Sequence, residues 1–212
     1  MRVYHFLNEM YAVSNLSLRR LKVSRFSQLN DPFEFLAADL SDPRHKSALT
    51  KFKNTIDKTK GMICFSRTWS NPLIWGHYAD RHRGMALGFD IPKDLLASVI
   101  YTKKRVKIQF DTKSNSVING KSVTNKLIRT KFEDWRYENE HRKFVELKDT
   151  VRESGIYFED FSESLLLREV IIGHECDLPI ARIKQLLKDD LKNVEIKKTG
   201  LDPNRFKVIE IR

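Results

Sequence analysis

Three apolar runs, separated by polar spacers of unequal length, limit the folds open to this chain more than any other feature. They are MICFS (62–66), GMALGFD (84–90) and LLLREVIIG (165–173). Each has about the length of a strand that is buried in a sheet. The segments around them show helix and strand patterns in irregular order. We therefore predict an α+β fold with a mixed sheet rather than a doubly wound parallel fold.

Hydrophobic periodicity and capping residues predict the other elements. Ser70 or Asn71 can cap a helix that has Pro72 in its first turn. The segment NDPFEF (30–35) is predicted to turn the chain, and 111–120 to form a loop. Further helices are predicted at 9–20, 43–59, 122–135 and 178–191, and strands at 2–6, 21–26, 100–110, 141–147, 167–172, 193–198 and 205–211.

Length and charge bound the organisation and the partners. The 212 residues are predicted to form one domain, with a core over 1–150 and a C-terminal βαββ extension over 151–212. The 39 Lys and Arg residues outnumber the 28 Asp and Glu residues, which gives a net charge of +11. Such a surplus favours a polyanionic partner, or else a basic surface that serves solubility.

Cysteine use and hydropathy point to a reducing, aqueous location. Cys64 and Cys176 form no CxxC pair, and both are predicted to be reduced core residues. The start, MRVYHFLNEM, lacks an apolar signal region. No run approaches the roughly 20 apolar residues of a membrane span. We expect a cytoplasmic protein.

Motifs of several enzyme classes are missing from the sequence. There is no GxGxxG after a strand, no Walker A sequence, no GxSxG elbow and no HExxH. His77 and His82 are five residues apart, a poor spacing for two ligands on one helix face. Any activity therefore depends on residues that the fold brings together.

Three segments place aromatic or polar side chains at strand ends or turns. His5 ends the first predicted strand, where a histidine is more often a hydrogen-bonded core residue than a functional one. Asn30 and Asp31 precede a proline, which is also ordinary turn chemistry. Trp75 and Tyr78 share one face of the predicted helix that carries His77, a face that is more often core than ligand platform.

A fourth segment, WRYENEHR (135–142), carries two acids two residues apart. In a strand, Glu138, Glu140 and Arg142 would share one face. Two acids on one face repel unless a cation, a hydrogen-bond donor or solvent relieves them. The pair is therefore either a solvated strand edge or an acidic group at the mouth of a pocket.

Together these segments resemble a bacterial family, the domain of unknown function 2971. The hallmarks are YHF, NDPFE, CFS, WGHYAD, Gly84 and WRYENEHR, which cover residues 3–145, and VIIG (170–173) agrees with the family's tail. More distantly, the order of the hallmarks is similar to that of the ADP-ribosyltransferase superfamily. That likeness implies a mainly antiparallel, split sheet.

The superfamily likeness also implies chemistry on NAD as substrate, with no metal. Glu140, which follows Asn139, would stabilise the oxocarbenium-like transition state formed when the nicotinamide–ribose bond breaks. Glu138 would orient an acceptor or take its proton. His5, where some of the superfamily carry Arg, would bind the ribose, and Tyr78 would stack on nicotinamide.

The implied reaction is ADP-ribosyl transfer or NAD hydrolysis, of a kind used in bacterial conflict or phage defence. The acceptor would be a protein side chain or, given the charge, DNA or RNA. Tyr4 or Tyr101 competes with Tyr78 as the stacking ring, and Arg67, Arg25 or Lys131 would meet the pyrophosphate. The implied site is catalytic Glu140, Glu138 and His5; NAD-binding Tyr4, His5, Ser66, Arg67, Trp75, His77 and Tyr78; and substrate-binding Asn30, Asp31, Trp135 and Arg142.

Two other functions stay open from sequence. One is a metal-dependent nuclease, in which Asp134, Glu146 and Lys148 make a D…ExK pattern for Mg²⁺. The other is a non-catalytic module that binds nucleic acid through YTKKRVKIQF (101–110), where basic residues are interleaved with Tyr101 and Phe110. A lysine-rich strand edge that discourages aggregation explains the same stretch.

Overall fold

The computed structural model describes residues 1–31, 33–34, 37–38, 43–111, 116–147 and 152–211. The strands are β1 Arg2–Leu7, β2 Arg20–Arg25, β3 Lys60–Ser66, β4 Met85–Asp90, β5 Ala97–Ser98, β6 Ile100–Thr102, β7 Phe110–Asp111, β8 Ser116–Val117, β9 Thr130–Phe132, β10 Glu140–Glu146, β11 Arg152–Glu153, β12 Ile156–Asp160, β13 Leu166–Ile172, β14 Glu195–Leu201 and β15 Val208–Ile211. The α-helices are α1 Glu9–Leu18, α2 Pro43–Thr59, α3 Pro72–Tyr78, α4 Gly120–Leu127 and α5 Ile180–Leu186, and 3₁₀ turns span Phe26–Gln28, Lys93–Leu95, Glu133–Glu138 and Asp189–Leu191.

One large mixed sheet organises the molecule, which confirms the predicted α+β class. Its strands follow the order β11-β12-β2-β3-β1-β4-β13-β14-β15, and β10 joins through β3 and carries β5. Within the described part of this sheet, only β13 and β14 pair in parallel. The helix between these two strands is α5, as a parallel crossover requires. With β15, this gives the βαββ arrangement at the C-terminal end.

The sheet splits beside β3, and this split positions the candidate site. Along one edge, β3 pairs with β10 from Lys60 to Ser66. The other edge is shared, because β2 pairs with Gly61 and Met62 while β1 reaches only Ser66. The middle of β3 on that side therefore lacks a strand partner. A split of this kind was predicted from the superfamily likeness alone.

Alternation along the central strands sends helices to both faces of the sheet. Val3, Leu87 and Val170 belong to the large core cluster that includes side chains of α1 and α5. Their neighbours in sequence point the other way, and Ala86 and Ile171 pack with Trp75 of α3. The fold thus fixes α3 against the face of β1 that carries Tyr4 and Phe6.

The local sequence predicted the ends of some helices to the residue that the structure shows. Helix α2 has the predicted bounds, and α3 begins as expected, since the Asn71 side chain accepts a hydrogen bond from the Leu73 amide with Pro72 at the first turn. No helix in the described residues is long and apolar enough to cross a membrane.

Two predictions, the helix over 122–135 and the strand over 100–110, were wrong in their extent. The predicted helix over 122–135 ends at Leu127, and Thr130–Phe132 instead forms β9, which pairs in parallel with β6. The predicted strand over 100–110 ends at Thr102, after which Val106 forms an isolated bridge with Ala38. The pairing with β6 therefore overrides the helical preference of the segment that contains Thr130–Phe132.

Gly84 is required by a close backbone approach. A Cβ at this position would lie 2.0 Å from the Leu7 carbonyl oxygen and 3.0 Å from that of Ala79. Neither oxygen can move without shifting the backbone of β1 or the end of α3. We expect Gly84→Ala to lower the free energy of unfolding by about 1–3 kcal/mol, measured by urea denaturation.

Gly76 provides the matched control, since a Cβ there meets no atom within 4 Å on α3. Gly76→Ala should leave stability unchanged or raise it by up to about 1 kcal/mol, because alanine is the better helix former. Equal losses from the two substitutions would contradict the role assigned to Gly84.

Candidate functional site

A cavity of about 220 Å³ opens at the split in the sheet. Backbone pairing is interrupted here, so side chains of β1 and β3 face a space that β2 and the turn after it close. Tyr4 and Ser66, both predicted to bind NAD, line the wall beside β1 and β3. The polar groups that line the cavity from distant parts of the chain include His5, Asn30, Tyr78, Lys131, Glu138 and Glu140.

His5 replaces a missing strand partner at the split. Its Nδ1 lies 2.8 Å from the carbonyl oxygen of Cys64, and a carbonyl can only accept, so Nδ1 carries the proton. Burial lowers the pKa of His5, and the bond to Cys64 only partly offsets this. The ring is therefore neutral at pH 7, which leaves Nε2 as an unprotonated acceptor.

Glu138 and Glu140 converge on the cavity, but not in the way the sequence predicted. Glu138 is the last residue of a 3₁₀ turn, and β10 begins only at Glu140. Asn139 between them adopts a left-handed conformation with φ 46°, which asparagine tolerates better than most residues. The two acids therefore meet across a turn rather than along one strand face, and each is 5 % exposed.

The two acids belong to a buried ion cluster. Lys131 Nζ lies 2.7 Å from Glu138, 3.2 Å from Glu34 and 3.4 Å from Glu140. Arg142 contacts Glu140 with Nε at 2.7 Å and Nη2 at 3.1 Å, and the same Nη2 lies 2.5 Å from Glu34. Three carboxylates thus share two cations, which leaves a formal surplus of one negative charge when all are ionised.

The cluster moves the pKa values of the two acids in opposite directions. Burial would raise the pKa of Glu140, but Arg142 and then Lys131 outweigh it and lower the pKa to about 2. For Glu138, burial dominates over Lys131, and the charge on Glu140 adds to it, so its pKa is raised. A pair of carboxyls with diverging proton affinities is the arrangement found where one acid holds charge and the other moves a proton.

Tyr78 is tied to this pair by its hydroxyl. The hydroxyl donates to Glu138 Oε1 and accepts from Asn30 Nδ2 at 2.8 Å. Burial, and then the charge on Glu138, raise the pKa of Tyr78, so the phenol stays protonated. Tyr101, the rival stacking ring, instead accepts the Glu140 amide through its hydroxyl at 2.8 Å, and it does not line the cavity.

Several predicted contacts do not line the cavity. Trp75 is 0 % exposed in the core beneath α3, which puts it out of reach of a ligand, and Arg142 is buried behind Glu140. The Asp31 side chain closes its own turn by accepting the Phe33 amide at 2.9 Å. Arg67 contacts the carbonyl of Arg2, and Arg25 also lies off the cavity wall.

His77 and Trp135 form part of an aromatic cluster next to the cavity rather than on its wall. The His77 ring lies 6.0 Å from Tyr137 and 6.1 Å from Trp135, measured between centroids. Lys131 Nζ lies 4.7 Å from the Trp135 ring centroid, close enough for a cation–π contact. The Trp135 ring therefore helps to hold the Lys131 ammonium group in position.

Sequence reasoning missed Glu34 and the central part that Lys131 plays. Glu34 ends the NDPFE hallmark, and an acid that follows a turn gives no local sign that it will meet Arg142, 108 residues away. Of the D…ExK residues, Asp134 is exposed, Glu146 is exposed at the far end of β10, and Lys148 lies outside the described residues.

Residues 74–143 match the model of a protein family of unknown function, DUF2971. This match confirms the family resemblance over these 70 of the 212 residues. The matched segment supplies Tyr78, Lys131, Glu138 and Glu140, and so contains most of the charged groups of the cavity. No curated protein and no solved structure was found to match the chain.

The lowered pKa of Glu140 predicts a specific loss of stability in acid. Because its pKa falls from the usual 4.5 to about 2 on folding, its contribution is present above pH 4.5 and disappears as the pH falls towards 2. We expect Glu140→Gln to cost on the order of 3 kcal/mol at pH 7, since Arg142 is left without its main partner. The difference from wild type, measured by urea unfolding, should shrink between pH 4.5 and 2.

Glu133 is the control, an acid on the same 3₁₀ turn that pairs with Arg136 at the surface. Glu133→Gln should produce a much smaller difference at every pH, because solvent screens that pair. A difference for Glu140→Gln that stays constant down to pH 2 would show that its carboxylate is not stabilised by the cluster.

Proposed function

We propose that this protein cleaves the bond between nicotinamide and ribose in NAD and passes the ADP-ribosyl group to an acceptor or to water. The observation that carries the proposal is the buried pair Glu138 and Glu140, whose pKa values diverge in a cavity that also holds a neutral imidazole and a phenol. Such a pair combines a fixed negative charge with a group that can accept a proton.

The proposed chemistry assigns a different role to each acid. When the glycosidic bond breaks, its electron pair goes to the pyridinium nitrogen, and neutral nicotinamide leaves an oxocarbenium-like ribose. Glu140, ionised at neutral pH, supplies negative potential in a site sheltered from water. Arg142 and Lys131 offset much of that charge, so the excess negative charge of the whole cluster is what favours the transition state.

In this proposal, Glu138 would receive the proton of the attacking hydroxyl. Its two oxygens accept hydrogen bonds from Tyr78 and Lys131, and each keeps a second lone pair for an acceptor. The new bond joins the acceptor oxygen to the ribose carbon, and the acceptor's proton moves to Glu138. A carboxyl with a raised pKa suits this task better than one whose pKa is lowered.

The remaining polar groups would bind the substrate. His5 Nε2 can accept a hydrogen bond from a ribose hydroxyl. The Tyr78 ring would contact nicotinamide while its hydroxyl stays bound to Glu138. At about 220 Å³, the cavity is smaller than the roughly 300–1,000 Å³ of typical ligand pockets, so it would take the nicotinamide riboside half of NAD and leave the adenylate half outside.

Nicotinamide release from NAD tests the proposal. We expect Glu138→Gln to lower kcat/KM by roughly 100-fold or more, because a positioned proton acceptor contributes about that factor. Tyr78→Phe should cause a smaller loss, since it removes the hydrogen bond that orients Glu138 but keeps the ring. Release is measured with and without added oligonucleotide and protein acceptors.

Glu133→Gln again serves as the matched control, because it removes an acid whose partner is Arg136 at the surface rather than a member of the buried cluster, and it should keep full activity. EDTA should not change the rate, whereas a D…ExK nuclease would lose activity with it. If wild type releases no nicotinamide with any acceptor, or if Glu138→Gln is as active as Glu133→Gln, the proposal fails.

A further inference from the structure

A second depression, of about 290 Å³, lies where β6 and β9 pair, and we name it the basic groove. Lys103, Lys104 and Arg105 line it from the turn after β6, and all three are exposed. The Thr102 hydroxyl closes this turn, since it donates to the Lys104 carbonyl and accepts the Lys104 amide, both at 3.0 Å. The fold therefore holds three adjacent cations on one wall.

Two exposed phenylalanines stand among these cations. Phe33 is 55 % exposed and Phe132 is 44 % exposed, and both line the basic groove. The guanidinium carbon of Arg105 lies 5.4 Å from the centroid of the Phe33 ring, which positions that ring by a cation–π contact. None of the nine described residues that line the groove is acidic.

We infer that the basic groove binds single-stranded nucleic acid. Phosphates of the strand would meet Lys103 and Lys104, and unpaired bases would stack on Phe33 and Phe132, the combination that non-specific single-strand binders use. A duplex keeps its bases stacked inside and cannot offer them to the two rings. An anionic membrane is a poorer fit, because the aromatic groups lie in a depression rather than on a protruding surface.

The strand would lie beside the cavity at the split in the sheet, where NAD is proposed to bind, because Lys131 lines both depressions. Lys131 itself is buried against three carboxylates, so it does not count among the cations that meet phosphate. The binding inference stands without the proposed NAD chemistry, since it requires affinity only.

Fluorescence anisotropy of a labelled 12-nucleotide oligothymidylate, and of its oligouridylate counterpart, tests the inference on the full chain. With two phosphate contacts, at Lys103 and Lys104, the affinity should fall roughly sevenfold between 50 and 200 mM salt. The double variant Lys103→Glu/Lys104→Glu should bind at least about tenfold more weakly. Phe132→Ala should lose roughly 5- to 100-fold, as expected for one stacked base.

The control is Lys184→Glu/Lys188→Glu on and after α5, which changes the net charge by the same amount at another exposed basic depression. This variant should bind within about threefold of wild type, and thermal melting checks that every variant is folded. Equal losses from both double variants, or equal affinity for a blunt duplex, would overturn the inference. So would undetectable binding at 50 mM salt, or binding only to phosphatidylserine vesicles.

Discussion

The cluster of Glu34, Lys131, Glu138, Glu140 and Arg142 is the interaction on which the cavity depends. Each buried ion carries a desolvation penalty of several kcal/mol, and good geometry with saturated hydrogen bonds is needed to offset it. Here Arg142 donates hydrogen bonds to both carboxylate oxygens of Glu140, to Glu34, and to the Ile128 carbonyl at 2.9 Å. The cluster therefore joins the turn near residue 34, the segment leading into β9, and β10.

A buried ion cluster of this kind adds little to the free energy of unfolding by itself. Well-packed apolar residues of similar volume are often equally stabilising, whereas removing one partner from a buried ion pair is strongly destabilising. What the ionic version provides is a charge environment that an apolar core lacks, and its effect is visible in the opposite shifts of Glu138 and Glu140. Perturbed carboxyls in a cavity are the feature that motivates a catalytic hypothesis.

Local signals in the sequence were enough for some elements but not for the cluster. The Asn71 cap of α3 and the polar sequence of α2 are local signals, because they depend only on residues close together in the chain. Both helices were predicted correctly. The acids Glu138 and Glu140 could be singled out, yet their geometry could not, because it depends on the left-handed Asn139. Lys131 reaches the cavity because β9 pairs with β6. The two strands are about 30 residues apart, and the local sequence around Lys131 favours a helix, so it does not indicate this pairing.

Lys131 separates the cavity from the basic groove in charge as well as in space. Glu140, Glu34 and Glu138 raise the pKa of Lys131 despite its burial, so Lys131 stays charged at neutral pH. These three carboxylates, on the cavity side, balance its charge. The groove therefore presents the charges of Lys103 and Lys104, which form no ion pair with the buried carboxylates in the described structure. Substitutions on the turn after β6 can thus change affinity for a polyanion while the proton affinities of Glu138 and Glu140 stay as they are. A substitution of Lys131 would alter both sites at once, and only the separate variants can assign an effect to one of them.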